Sequence, residues 1–92
     1  MYIRLIAFET NGDKKNETTQ IMNRMLPKIK MQPGCKGCDF LMHEVDGRYA
    51  LLVYWETKEH AETAAPIIGP EMIPSLNGIS TKPVEPVLYK VY

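Results

Sequence analysis

The strands of this chain are apolar on both sides, and its helices suffice to cover only one. Along residues 48–55, Tyr49, Leu51, Val53 and Trp55 fall on one face of an extended segment, and Ala50, Leu52 and Tyr54 on the other. On the first strand Ile3, Leu5 and Ala7 alternate with Arg4, Ile6 and Phe8, and the last gives Val87, Tyr89 and Val91 against Val84 and Leu88. A sheet with one face in water would instead alternate cleanly between apolar and polar residues. The second face therefore has to be covered by something other than this chain's helices.

The element order follows from changes of period. Residues 2–9 read as a strand ending at Asn11-Gly12. Ile21, Met22, Met25, Leu26 and Ile29 form one helical stripe, with Asp13 or Asn16 as candidate caps. Pro27 should kink this helix or weaken its last turn, and Pro33-Gly34 should end it. Residues 36–45 and 48–55 are two further strands. The Asp46-Gly47 pair between them is a strong hairpin signal, and a two-residue turn there would pair Val45 with Arg48. That register sets Cys38, Phe40 and Met42 beside Trp55, Val53 and Leu51; a three-residue loop would bring Leu41 and His43 to Trp55 instead. Thr57 reads as the cap of a second helix carrying Ala61, Ala64, Ala65 and Ile68. Pro66 should interrupt it, Pro70 to Leu76 should add a short helical turn closed by Asn77-Gly78, and residues 84–92 should form an edge strand. The order β-α-β-β-α-β is the ferredoxin-like α+β arrangement: four antiparallel strands with both helices on one face, in a single domain spanning residues 1–92.

Composition narrows the function classes. Eleven Lys and Arg balance eleven Asp and Glu, and no basic run stands out, so no nucleic-acid partner is expected. No apolar run approaches the ~18 residues of a membrane span, and the first strand, with Arg4 inside it, is no signal peptide. Two cysteines are too few for a secreted disulfide scaffold, so the expected compartment is the cytoplasm. The doubly apolar sheet is expected to pair with a second copy through the sheet faces, enclosing an apolar cavity between them. The alternative is a monomer whose 66–83 segment folds over the bare face.

The run Gln32-Pro33-Gly34-Cys35-Lys36-Gly37-Cys38, a hairpin, Val53-Tyr54-Trp55-Glu56-Thr57 and then an Ala-rich helix resembles the antibiotic biosynthesis monooxygenase family. The resemblance implies a dimeric α+β barrel. It also implies membership of a mixed group: cofactor-free oxygenases of aromatic polyketides, quinol oxygenases, haem-degrading enzymes and members without known activity. Family members often carry a His about nine residues after the strand Trp, where this chain has Ala64. Haem-degrading members use an Asn on the first strand and a Trp and a His in the second helical region; here the first strand has no Asn and no His follows His60. The resemblance thus implies an oxygenase of a small aromatic or quinol-type substrate needing no cofactor. A non-catalytic module for a small hydrophobic ligand, or an accessory dimer subunit, is the alternative.

The candidate catalytic residues are His43 and Trp55. His43 could act as a base near neutrality, or be a partly exposed strand residue. Trp55 could stack on a flat ligand in the intersheet cavity, or fill the core where the third strand meets the second helix. Arg4, Phe8, Phe40, Met42 and Trp55 are the candidate pocket residues. Arg4 could hold an anion, or pair with an acid such as Glu85 or Glu44 at an interface. His60 is expected at the surface. The Cys35-x-x-Cys38 spacing enters a strand, where no helix N-terminus lowers a thiol pKa, and no second Cys pair accompanies it to bind zinc, so no metal is expected.

Overall fold

A computed structural model describes residues 1–44 and 47–92. The alternating segments form β1 (Tyr2–Glu9), β2 (Cys35–Met42), β3 (Arg48–Trp55) and β4 (Val87–Lys90), and the two helical stripes form α1 (Lys15–Lys30) and α2 (Lys58–Asn77). The strands make one antiparallel sheet in the order β2-β3-β1-β4, the ferredoxin-like α+β arrangement expected from the sequence.

Parity decides which residues meet the helices. Ile6, Phe8, Leu51, Val53 and Trp55 are buried against Ile21, Met22, Met25 and Ile29 of α1 and Ala61, Ala64, Ile68, Met72 and Leu76 of α2. The opposite set stands outside this core. There Leu41, Val87 and Tyr89 are exposed, and Ile3, Leu5 and Leu52 are partly so. The 66–83 segment does not cover that face. Residues 66–77 belong to α2 on the core side, and the chain beyond pairs Ser80 with Thr10 at the end of β1.

Three local expectations are corrected. The central hairpin is wider than a two-residue turn: Met42 faces Tyr49 and the His43 N–H donates to the Arg48 carbonyl at 3.0 Å. Phe40 therefore lies opposite Leu51 and Cys38 opposite Val53, two residues from the register that an Asp46-Gly47 turn would set. Val45 and Asp46, on which that turn falls, lie outside the described residues. Gly47 is engaged elsewhere, its carbonyl accepting the Thr10 N–H at 2.8 Å. Second, α2 is one continuous helix despite Pro66, Pro70 and Pro74. These prolines recur every fourth residue on the exposed side, so the carbonyls they leave without donors face water while the apolar side holds the helix down. Likewise α1 runs past Pro27 to Lys30. Third, β4 begins only after Pro86, since neither Pro83 nor Pro86 has an N–H to give to a ladder.

The caps are mixed. Thr57 caps α2 as expected, accepting the His60 N–H at 3.1 Å. No side chain caps α1 at Lys14, although the Asp13 carboxylate accepts the Lys15 N–H at 3.3 Å.

Candidate functional site

The space between sheet and helices is not uniformly filled. Toward the ends of β1 and β3 where Phe8 and Tyr49 stand, the rings of Phe8, Phe40 and Tyr49 stack with centroids 5.3–6.5 Å apart. Toward Arg4 and Trp55 the facing residues of α2 are Ala61, Ala64, Ala65 and Gly69, and a cavity of about 340 Å³ remains. Arg4, Ile6, Val53 and Trp55 form its floor, Ile29 and Pro86 border it, and Ile68, Met72 and Ile73 complete the α2 wall.

This cavity lies between the sheet and the helices of one chain, on the side of the sheet away from the face expected to pair with a second copy. Trp55 is 4% exposed and faces the helices, so it serves both as core and as cavity wall. Among the described residues its buried indole Nε1 has no hydrogen-bond partner. A buried N–H usually finds an acceptor. Arg4 projects into the same cavity, partly exposed. Among the described residues its side chain makes no hydrogen bond or ion pair, so within one chain it does not pair with Glu85 or Glu44. Glu85 borders a different hollow, beside Thr81 and Lys82, and Glu44 borders one at the far end of the sheet.

The remaining nominated residues lie elsewhere. Phe8 and Phe40 belong to the stacked cluster. Met42, half exposed, and His43 border a polar hollow with Asp13, Lys14, Lys15 and Tyr49, at the opposite end of the sheet from Trp55. The structure therefore brings Arg4 and Trp55 together and separates them from His43. His60 is partly buried, contrary to its expected surface position. Its Nδ1 lies 2.8 Å from the Thr57 hydroxyl, and its ring occupies the place where a side chain on Gly34 would project. Gly34 has φ +80°, so glycine is required there on both counts.

Cys35 and Cys38 carry free thiols on the core side of β2, brought to one face by a bulge at Gly37. Burial pushes the Cys38 thiol above its ordinary pKa, against the pull of Lys30. That is the opposite of an activated nucleophile. Among the described residues no three His, Cys, Asp or Glu side chains gather as a metal site. No helix among them is long and apolar enough to cross a membrane.

Reading the sequence missed the α2 wall as a lining surface. Its signal was present in the Ala61, Ala64, Ala65 and Gly69 run, which leaves space wherever it faces large residues.

No protein-family model matches the sequence, and no curated protein matches it. Solved structures do match along the whole chain. A structure from Nitrosomonas europaea assigned as an antibiotic biosynthesis monooxygenase superposes with a TM-score of 0.85, at 17% identity, covering 99% of this chain and 98% of that one. The chain has an antibiotic biosynthesis monooxygenase-like fold. Under the same fold, SnoaB, a cofactor-independent oxygenase from Streptomyces nogalater, matches with TM-score 0.81, 20% identity and 99% and 92% coverage. MhuD, a haem-degrader from Mycobacterium tuberculosis, matches with TM-score 0.74, 19% identity and 99% and 95% coverage.

Proposed function

We propose that this monooxygenase-like chain oxidises a small electron-rich aromatic or quinol-type substrate with dioxygen and no cofactor, inside the cavity between α2 and the sheet. The observation that carries the reading is an apolar chamber between the sheet and an α2 wall of alanine and glycine, walled on the sheet side by the ring of Trp55. A chamber of this size is at the small end of the ~300–1,000 Å³ typical of ligand sites. A flat aromatic substrate can pack its rings against the indole there. The likeness to SnoaB supports the reaction class.

The lining offers no imidazole, carboxylate or thiol, and Ala64 stands where a His would add one. The wall therefore supplies no base, and the substrate must be acidic enough to lose its own proton and electron-rich enough to reduce dioxygen. For an anthrone-like methylene the balance is CH2 + O2 giving C=O + H2O, so the substrate supplies all the electrons. The same lining lacks the imidazole, phenolate or thiolate that would hold a haem iron.

Oxygen uptake with a panel of anthrones and quinols tests this. Trp55→Leu, which removes the flat ring and keeps the position apolar, is expected to lower kcat/KM about tenfold, the scale of one lost ring–ring contact. His43→Ala is expected to leave turnover unchanged. Uptake indifferent to Trp55→Leu would overturn the assignment of Trp55. Binding without uptake would favour the ligand-binding module.

The chain further pairs with a second copy through the open sheet face, in this reading. Leu41, Val87 and Tyr89 are exposed there, and the polar pair on that face is already satisfied, Tyr54 donating to the Asp39 carboxylate at 2.8 Å. Sedimentation is expected to report twice the 10.5 kDa chain mass. A monomer would remove the dimer and leave the cavity intact, because one chain forms it.

A further inference from the structure

We propose that the cavity's ligand is a monoanion: an apolar, fused-ring-sized molecule with one ionised oxygen seated on the Arg4 guanidinium and its rings against Trp55. This deepens the functional reading above and rests on its placement of the site.

Arg4 is in the middle of β1, facing the helices. Its cross-strand partners are Val53 and Leu88, and its same-face neighbours along the strand are Tyr2 and Ile6. None of these is charged. Among the described residues it has no ion pair or hydrogen bond, and no carboxylate borders the cavity with it. Arginine does not shed its proton, so this is a permanent charge at the edge of an apolar chamber. Partial exposure keeps it hydrated while the chamber is open. A ligand that fills the chamber displaces that water, and a desolvated cation without a partner is costly. A neutral ligand leaves that cost standing, whereas an anion cancels it and gains a charge-assisted pair.

Charge and shape narrow the class further. Arg4 is the only charged residue among those bordering the cavity, which favours one negative charge over a dianion such as a phosphate monoester. The guanidinium fork matches the two oxygens of a carboxylate, and it also serves a single enolate or phenolate oxygen. Those two sources share one chemistry, and titration can separate them.

The test is calorimetric titration of the full chain with 2-naphthoate, its methyl ester, and 2-naphthol below and above the naphthol's own ionisation. The carboxylate is expected to bind about 10- to 100-fold tighter than the ester, the range for a hydrogen-bonded charge. Arg4→Gln should bring the acid down to the ester's affinity while holding the ester within about 2-fold, which also shows that the variant is folded. Arg4→Lys, which keeps the charge without the fork, should weaken the acid only partly. Naphthol that tightens on ionisation, by more than naphthoate changes over the same pH step, extends the site to phenolates; naphthol that does not confines it to carboxylates, and either result supports the anion. Equal affinity for acid and ester, or an acid preference that survives Arg4→Gln, would overturn the proposal and leave the cavity reading standing. Binding of none of the probes would overturn both.

Discussion

Two ends of one layer meet the same helices and the same sheet with opposite results. At one end Phe8, Phe40 and Tyr49 stack and leave no chamber bordered by all three; at the other, Arg4 and Trp55 face Ala61, Ala64, Ala65 and Gly69 across open space. Both ends rest on β1 and β3, in one unbroken register. The difference lies in the size of the side chains, which large rings answer in one place and alanine and glycine do not in the other. Protein interiors otherwise close to crystal-like density, so a gap left between the Trp55 ring and an alanine and glycine wall, with an Arg4 that is unpaired among the described residues at its edge, marks a site.

That contrast can be tested from a core position outside the cavity lining. Met25 is fully buried and absent from the cavity lining. Met25→Ala is expected to cost about 2–5 kcal/mol, the range for emptying a closed core position, read as a shift in the denaturation midpoint. Ligand affinity should stay unchanged in the fraction that remains folded. A loss of affinity as large as the loss of stability would show that the chamber and the packed core beside it are one coupled unit.

The opposite change sharpens it. Ala64 is buried in the α2 wall, and Ala64→Leu pushes three more carbons into the chamber without loss of helix propensity. Stability should move by less than about 1.5 kcal/mol in either direction, because the added volume meets a void instead of a packed neighbour. Affinity for an aromatic ligand should fall at least about tenfold, since a ligand now competes with the leucine. A destabilisation of several kcal/mol with binding intact would mean that the chamber lies elsewhere.

How much of this could be read from residues alone depends on which physical rule was being used. Strand alternation is a property of the backbone, so the two faces of β1 and β3 were legible from residue order. Alternation says which residues share a face and is silent on which face the helices take, so Trp55 could be nominated for a cavity but not placed on the helix side of it. The Asp46-Gly47 pair pointed to a two-residue turn; Met42 opposite Tyr49 requires a longer loop, and a turn signal in two residues carries no information on how far the flanking strands stay paired. Pro66 predicted a break in α2, but a proline interrupts a helix only where its lost bond cannot be solvated, and Pro66, Pro70 and Pro74 all face outward. Arg4 showed its charge in the sequence. That it has no acid partner could come only from the structure.

The smallest expected effect lies between the two helices themselves. Glu71 of α2 accepts Lys28 Nζ at 2.7 Å and Arg24 Nε at 2.9 Å, tying the cavity's wall to the helix over the rest of the core. The hydrogen bond from Lys28, then that from Arg24, holds the Glu71 carboxyl below its ordinary pKa. A carboxylate favoured in the folded state adds stability above its unfolded pKa and loses it as pH falls through the folded one. All three side chains are well exposed, so water and salt screen the pairs and Glu71→Gln should lower the melting temperature at pH 7 by only about a degree or two. The gap between wild type and variant should close in strong acid, where Glu71 is neutral in both states, and shrink in molar salt. A gap that persisted in acid would assign Glu71 to packing through its methylenes, and the clamp would then have no part in holding α2 over the chamber.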